Sequence, residues 1–265
     1  MKVIILTSNR SGSVSYILEQ LIACENIIIG GVVLSQNNVK NKKKHYKRKL
    51  HKVLKIGLLG TLNGIRMRKW YNNDIQKFLD IKPVDQICSE NNIPFMLTPT
   101  INCQQTILYF KKVNADIGLS LGNGYIGSKI FNIPPNGMIN IHHEELPAYQ
   151  NAQSIIWQLY NNSRYTGYTI HKINKHIDKG EIIYKERLPI IFYKKLADTV
   201  SYNYSRLWIN SARGLIKVLN NFDKYNKNSK QQGKGNIYTT PTIFQYLKIV
   251  YNFRKLKRTS VTIKR

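Results

Sequence analysis

The order of patterns in the first 34 residues constrains the fold more than any other feature of the chain. Residues 3–6 are a short uninterrupted apolar run, the signature of a strand buried on both faces. A polar turn over 7–13 follows, with a serine placed to cap a helix. An apolar stripe then recurs at helical spacing through Val14, Ile17, Leu18, Leu21 and Ile22. Residues 27–34 make a second strand. Strand, turn, helix, strand predicts a parallel sheet with right-handed crossovers and helices on its faces. The turn holds one glycine, Gly12, so the glycine-rich fingerprint of dinucleotide binding is absent, although a helix N-terminus there still suits an anion.

The same rhythm resumes further on. Helices are expected over 84–91 and 106–113, a strand edge over 93–96 and a strand over 115–121. That strand runs into Gly122-Asn123-Gly124, where glycine permits a sharp turn and close backbone approach to a ligand. Beyond residue 150 the patterns read as a helix over 152–160, strands over 165–173 and 181–184, and a helix over 197–219. A basic amphipathic helix follows over 243–257. Residues 223–236, rich in Lys, Asn, Gly and Gln, read as a mobile linker. The expected organisation is a catalytic domain over 1–195, a helix over 196–222 packed on it, and a linker with a basic extension over 223–265.

Residues 39–73 interrupt the alternation after the second strand. Nine basic residues from Lys40 to Lys55 lead into the apolar patch Ile56-Gly57-Leu58-Leu59-Gly60, and Arg66, Arg68, Lys69, Trp70 and Tyr71 close the insert. Two readings fit: a helix lying at an anionic membrane surface, or a long solvated loop packing its leucines on the domain. Gly57 and Gly60 weigh against a continuous helix. The formal net charge of +27 has two sources open to it as well, anionic partners or an AT-rich genome that favours Lys codons. Cys24, Cys88 and Cys103 lack metal-binding or redox spacing and read as free thiols in a reducing compartment. No apolar run reaches the roughly 18 residues needed to span a bilayer, and the N-terminus starts a strand rather than a signal peptide. A cytoplasmic protein is expected, with contact at the inner membrane face if the insert is interfacial.

Chemistry concentrates in residues 137–147. Met138, Ile139 and Ile141 set a strand, and its period of two carries Asn140 and His142 on one face, at the end where open α/β sheets hold ligands. Asp178 would arrive from the loop of the following hairpin. A carboxylate near an imidazole favours the charged ring, and an imidazolium with an amide makes two donors aimed at one developing oxyanion. The carboxylate would then take a proton from an attacking amine. The plainer alternative is that Asn140 and His142 satisfy backbone groups at a strand end.

Three segments together resemble the folate-dependent formyltransferases, a family that includes methionyl-tRNA, glycinamide ribonucleotide and sugar N-formyltransferases. These are Gly-Met-Ile-Asn-Ile-His before Leu146-Pro147, Thr-Gly-Tyr-Thr-Ile-His over 166–171, and Ile-Asp-Lys-Gly-Glu-Ile-Ile over 177–183. The resemblance spans about residues 1–195, with the insert unmatched by the compact members. It implies a Rossmann-like, mostly parallel open α/β sheet of the formyltransferase type. It also implies transfer of a formyl group from N10-formyltetrahydrofolate to a primary amine, without a metal. Asn140 and His142 would hold the formyl oxygen, and Asp178 would support His142 and assist proton transfer. The folate would lie against Gly122, Asn123, Gly124, Tyr125 and Ile126 on one side, and against Ile173, Asn174, Ile177 and Gly180 on the other. His143, His171 and His176 are then expected in loops or at the surface.

The chain departs from the family where the acceptor binds. Glu144 stands where the family often has Ser, and Gln150-Asn151 where it often has Arg-Gly, so Glu144, Gln150 and Asn151 are the expected acceptor contacts. Methionyl-tRNA formyltransferases carry a further domain of roughly 100 residues, whereas about 65 residues follow the hairpin here. A phosphorylated or nucleotide- or lipid-linked amino sugar is therefore the expected acceptor. Methionyl-tRNA is the alternative. The rival from another class is a retired formyltransferase fold that binds RNA or membranes.

Overall fold

The computed structural model describes residues 1–36 and 42–259. Lys40 at the head of the insert and residues 260–265 of the C-terminal extension lie outside them. The elements run β1 (Lys2–Thr7), α1 (Ser13–Ile22), β2 (Ile28–Ser35), α2 (Lys42–Asn72), a 3-10 turn (Asp74–Lys77), α3 (Val84–Glu90), β3 (Phe95–Thr98), α4 (Gln104–Val113), β4 (Ile117–Leu121) and α5 (Ser128–Phe131). They continue with β5 (Met138–His142), α6 (Ile156–Tyr160), β6 (Tyr165–Lys172), β7 (Ile182–Pro189), α7 (Leu196–Asn220), α8 (Phe222–Lys227) and α9 (Ile243–Arg258).

One seven-stranded sheet orders these strands β3-β2-β1-β4-β5-β6-β7. The first five pair in parallel, and β6 and β7 add an antiparallel hairpin. The expected open, mostly parallel α/β sheet is what the chain forms. Strand order reverses between β1 and β4, and such a switch point opens a crevice at the strands' C-terminal ends. The apolar run of β1 is split by its pleat between two cores. Val3 and Ile5 face the layer holding α1 and α7, while Ile4 and Leu6 face the layer holding α4 and α5. Burying each such side chain is worth roughly 1.5–3 kcal/mol. The expected serine cap on α1 is not made: Gly12 takes the N-cap position with φ 139°.

The insert is a helix rather than a loop. α2 runs 31 residues and breaks once, at Gly57, whose φ of 76° and ψ of 165° are open to glycine at little cost. On a straight helix Lys52 and Arg68 would stand about 24 Å apart. Instead, the ammonium of Lys52 is held below its ordinary value, first by partial burial and then by the charge of Arg68. α2 is thus two helical segments joined at a kink. Trp70 and Tyr71, which close the insert, are packed inward together with Met67.

Residues 223–236 are not a mobile linker. The stretch opens with α8, and backbone hydrogen bonds then tie Lys230 to Ile182 and Asn236 to Gln150. Glu181, at the base of the β6–β7 loop, accepts from Lys172 Nζ at 2.7 Å, Ser229 Oγ at 2.8 Å and Gln231 Nε2 at 2.6 Å. Polar composition suggested disorder, but these side chains are spent on fixing that loop.

Candidate active site

A cleft of about 770 Å³ opens at the C-terminal ends of β4 and β5, beside the switch point. Its floor is made by β5 and β6. Asn140 and His142 both face it, as the period of two requires, and Asp178 reaches it from the β6–β7 loop. His142 Nε2 lies 3.0 Å from the carbonyl of Tyr149, which can only accept, so Nε2 carries a proton. That leaves Nδ1 facing Asp178 Oδ2 at 4.0 Å, beyond direct hydrogen bonding and within reach of a charge interaction. Asp178 itself holds a left-handed backbone conformation, φ 54°, uncommon outside Gly and Asn.

Asn140 is oriented by a residue expected to be peripheral. His171 pairs with Asn140 across β5 and β6 and is only 3% exposed. Its Nδ1 donates to the carbonyl of Lys172 at 2.9 Å. Burial pushes the ring down to about 4, so it is neutral and Nε2 is a bare acceptor. Asn140 Nδ2 donates to that nitrogen at 3.1 Å, which fixes the amide and leaves its second N–H for a ligand. His143 lies in the loop after β5, as expected, but is turned inward. It is half-buried, its Nε2 lies 3.3 Å from Ser211 Oγ, and desolvation pushes it down to about 3. His176 does lie in a loop at the surface.

Two loops flank the floor. In one, Gly122, Asn123, Gly124, Tyr125 and Ile126 all line the cleft. Gly122 has φ 75°, and a Cβ there would fall 2.3 Å from Asn9 Nδ2, so any other residue would be strained and would push that side chain aside. Asn123 is committed to holding the turn: its Nδ2 donates to the Leu6 carbonyl at 2.5 Å and its Oδ1 accepts from Ser8 Oγ at 3.0 Å. Polar contacts with a ligand on this side fall therefore to the backbone. In the other loop Ile173, Asn174 and Ile177 line the cleft. Gly180 does not line it. It packs beneath Lys172, where a Cβ would meet the Lys172 carbonyl at 1.7 Å. Its role is to let the loop close. Together the two loops present apolar Ile126 and Ile173 with adjacent backbone polar groups, a fit for a flat heterocycle such as a pterin.

The remaining wall is built from the 143–154 segment and the last turns of α2. Glu144 and Asn151 line it, whereas Gln150 is buried and exchanges backbone hydrogen bonds with Asn236 and Tyr238 instead. Glu144 is 1% exposed. Its Oε2 accepts from Gln158 Nε2, while Oε1 has no hydrogen-bond partner among the described residues. Burial pushes this carboxyl up to about 8, against the opposing effect of Gln158 and Ser154. α2 contributes Arg68, Tyr71 and Asn72, none foreseen from the sequence. Tyr71 donates to the Ser154 carbonyl at 2.7 Å and meets Tyr204 edge to face at 5.0 Å. Arg68 is the one Lys or Arg lining the cleft among the described residues. A helix-spaced Met67, Trp70 and Tyr71 was the available signal that this end of the insert packs inward.

The profile of the formyl transferase family matches residues 32–219. Methionyl-tRNA formyltransferase of Buchnera aphidicola is 34% identical over 138 residues, covering 52% of this chain and 42% of that protein. The Kosmotoga olearia methionyl-tRNA formyltransferase is 33% identical over 109 residues, covering 41% and 35%. The chain thus spans less than half the length of these curated relatives in the matched regions. Among solved structures, a sugar N-formyltransferase from Shewanella sp. FDAARGOS_354 aligns with a TM-score of 0.56 at 14% identity, covering 95% of this chain and 87% of that one. WlaRD, a sugar 3N-formyl transferase studied in the presence of dTDP and 5-N-formyl-THF, aligns with a TM-score of 0.53 at 16% identity, covering 100% and 82%. Identities this low speak to the fold alone. With the family profile spanning most of the chain, the protein belongs to the formyl transferase family.

Proposed function

We propose that the protein transfers a formyl group from N10-formyltetrahydrofolate to a primary amine of a phosphorylated amino sugar, carried on a nucleotide or a lipid. The observation that carries the transfer is the convergence of Asn140, His142 and Asp178 in one cleft flanked by two loops that present Ile126 and Ile173. The cosubstrate supplies the formyl carbon. The 122–126 turn and the 173–177 loop would hold its pterin, with Ile126 and Ile173 against the ring. Asn140 donates its free amide N–H to the formyl oxygen as negative charge develops there. A protonated His142 donates from Nδ1 to the same oxygen. Asp178 faces that nitrogen, stabilises the charged ring, and accepts a proton from the incoming amine directly or through a water.

Arg68 and Glu144 support the choice of acceptor. A guanidinium on the cleft wall suits a phosphate, and a buried protonated carboxyl whose Oε1 has no partner among the described residues suits a sugar hydroxyl. A cytoplasmic location fits a folate cosubstrate. We assign 1–195 to catalysis, with 196–222 as a supporting helix and 223–265 as an extension whose residues 229–232 brace the Asp178 loop. Methionyl-tRNA is the second reading, favoured by the relatives that carry that name and by the basic charge. Incubation with N10-formyltetrahydrofolate and a panel of amino sugar nucleotides, glycinamide ribonucleotide and Met-tRNA separates the readings by product mass. Formylation of Met-tRNA alone selects the second. Formylation of no amine, with salt-sensitive RNA binding and no folate binding, selects the retired fold.

A further inference from the structure

α2 and α9 each leave an apolar stripe in solvent. On α2, Leu50 and Leu54 before the Gly57 break and Leu58, Leu62 and Ile65 after it recur at helical spacing within each half, and each is more than half exposed, with Leu54 at 73% and Leu58 at 70%. On α9, Phe244, Leu247 and Tyr251 repeat the pattern, with Phe244 at 80%. Exposed large apolar side chains in this number on two neighbouring helices mark a docking face. The two helices are joined where Arg66 donates to Tyr246 Oη at 2.5 Å and stacks over its ring.

Charge identifies the occupant. Neither α2 nor α9 contains a single Asp or Glu, and their exposed positions between the apolar residues carry Lys47, Lys55, Lys69, Lys248 and Arg254. A second copy of this chain would bring like charges face to face, which opposes a dimer through these helices. Nucleic acid would satisfy the cations and leave the leucines in water. An anionic bilayer satisfies both, with apolar side chains entering the acyl boundary and cations meeting lipid phosphates.

The position of α2 adds a functional consequence. Its last turns furnish Arg68, Tyr71 and Asn72 to the cleft, so the exposed stripe leads onto the acceptor wall. We infer that α2 and α9 dock the protein on anionic membranes as an interfacial platform, and that the acceptor amine is presented from the bilayer on a phosphate-bearing lipid. The second half of this inference rests on the amine-formylating reading above.

The test is co-sedimentation of the full chain with phosphatidylcholine vesicles, with and without phosphatidylglycerol. Binding is expected only with the anionic lipid and is expected to fall with salt. The double variant Leu58→Glu, Leu62→Glu should lose at least about tenfold in vesicle partitioning while formylating a soluble amine at the wild-type rate. Absence of binding to anionic vesicles overturns the inference, as does equal binding by the variant. So does a dimer in solution that the variant disperses, or RNA binding that outcompetes vesicles. Vesicle binding without formylation of any amine would leave the docking surface standing and remove the enzymatic reading. Formylation without vesicle binding would do the reverse.

Discussion

On the floor of the cleft Asn140, His142 and His171 are each held by a hydrogen bond, whereas on its wall two buried oxygens have none among the described residues. Both ring nitrogens of His171 are engaged, His142 Nε2 holds a carbonyl, and the Asn140 amide is tethered. Across the cleft, Glu144 Oε1 and Gln153 Oε1 are buried with no partner among the described residues. Unpaired buried polar atoms cost stability, so two of them on the residues that line a cleft mark where a ligand completes the bonding. The floor is held on strands, where the proposed formyl transfer would take place. The wall, made of a loop and a helix of the insert, is where the proposed acceptor would bind.

Breaking the floor should have the largest effect. Asn140→Ala or His142→Ala removes a donor to the developing oxyanion, and kcat should fall by about 10²–10³ with folate affinity nearly unchanged. His171→Ala acts one step removed by freeing the Asn140 amide. A kcat loss of about 10–100-fold is expected, with KM for folate unaltered. His171→Gln, which can accept from the amide, should recover part of it, and steady-state kinetics separates this from general damage to the fold.

Changes to the wall should move binding and stability instead. Arg68→Ala should raise KM for a phosphorylated acceptor about tenfold and leave an unphosphorylated amine unaffected. Glu144 gives the smallest and most diagnostic effect. Its carboxyl is raised from 4.5 to about 8 in the folded protein, so its contribution to stability is complete below pH 4.5 and is lost as pH rises through 8. Glu144→Gln removes that loss. The variant should match wild type near pH 5 and melt about 5 °C higher at pH 9, by thermal unfolding across pH.

Much of the floor was legible in the sequence because its logic is local. β1 reads as a two-faced buried strand from four apolar residues, and the alternation at 138–142 puts Asn140 and His142 together without reference to the rest of the chain. His171 was not legible, since its meeting with Asn140 depends on the β5–β6 register. The wall was harder still. The kink of α2 at Gly57 depends on a single dihedral, and Tyr71 reaches Ser154 across 83 residues. Residues 229–232 misled by composition: the polar side chains that suggested disorder are those that hold Glu181 and Gly180.

Asp178 joins the two regions, being a loop residue that acts on the floor, and its conservative replacement tests the account most directly. Single-turnover formylation of an accepted amine should be measured with wild type and Asp178→Asn at saturating N10-formyltetrahydrofolate. The amide keeps the shape and loses the charge and the basic oxygen, so the rate should fall at least about 100-fold with folate binding intact. Formyl transfer by Asp178→Asn at the wild-type rate would contradict it.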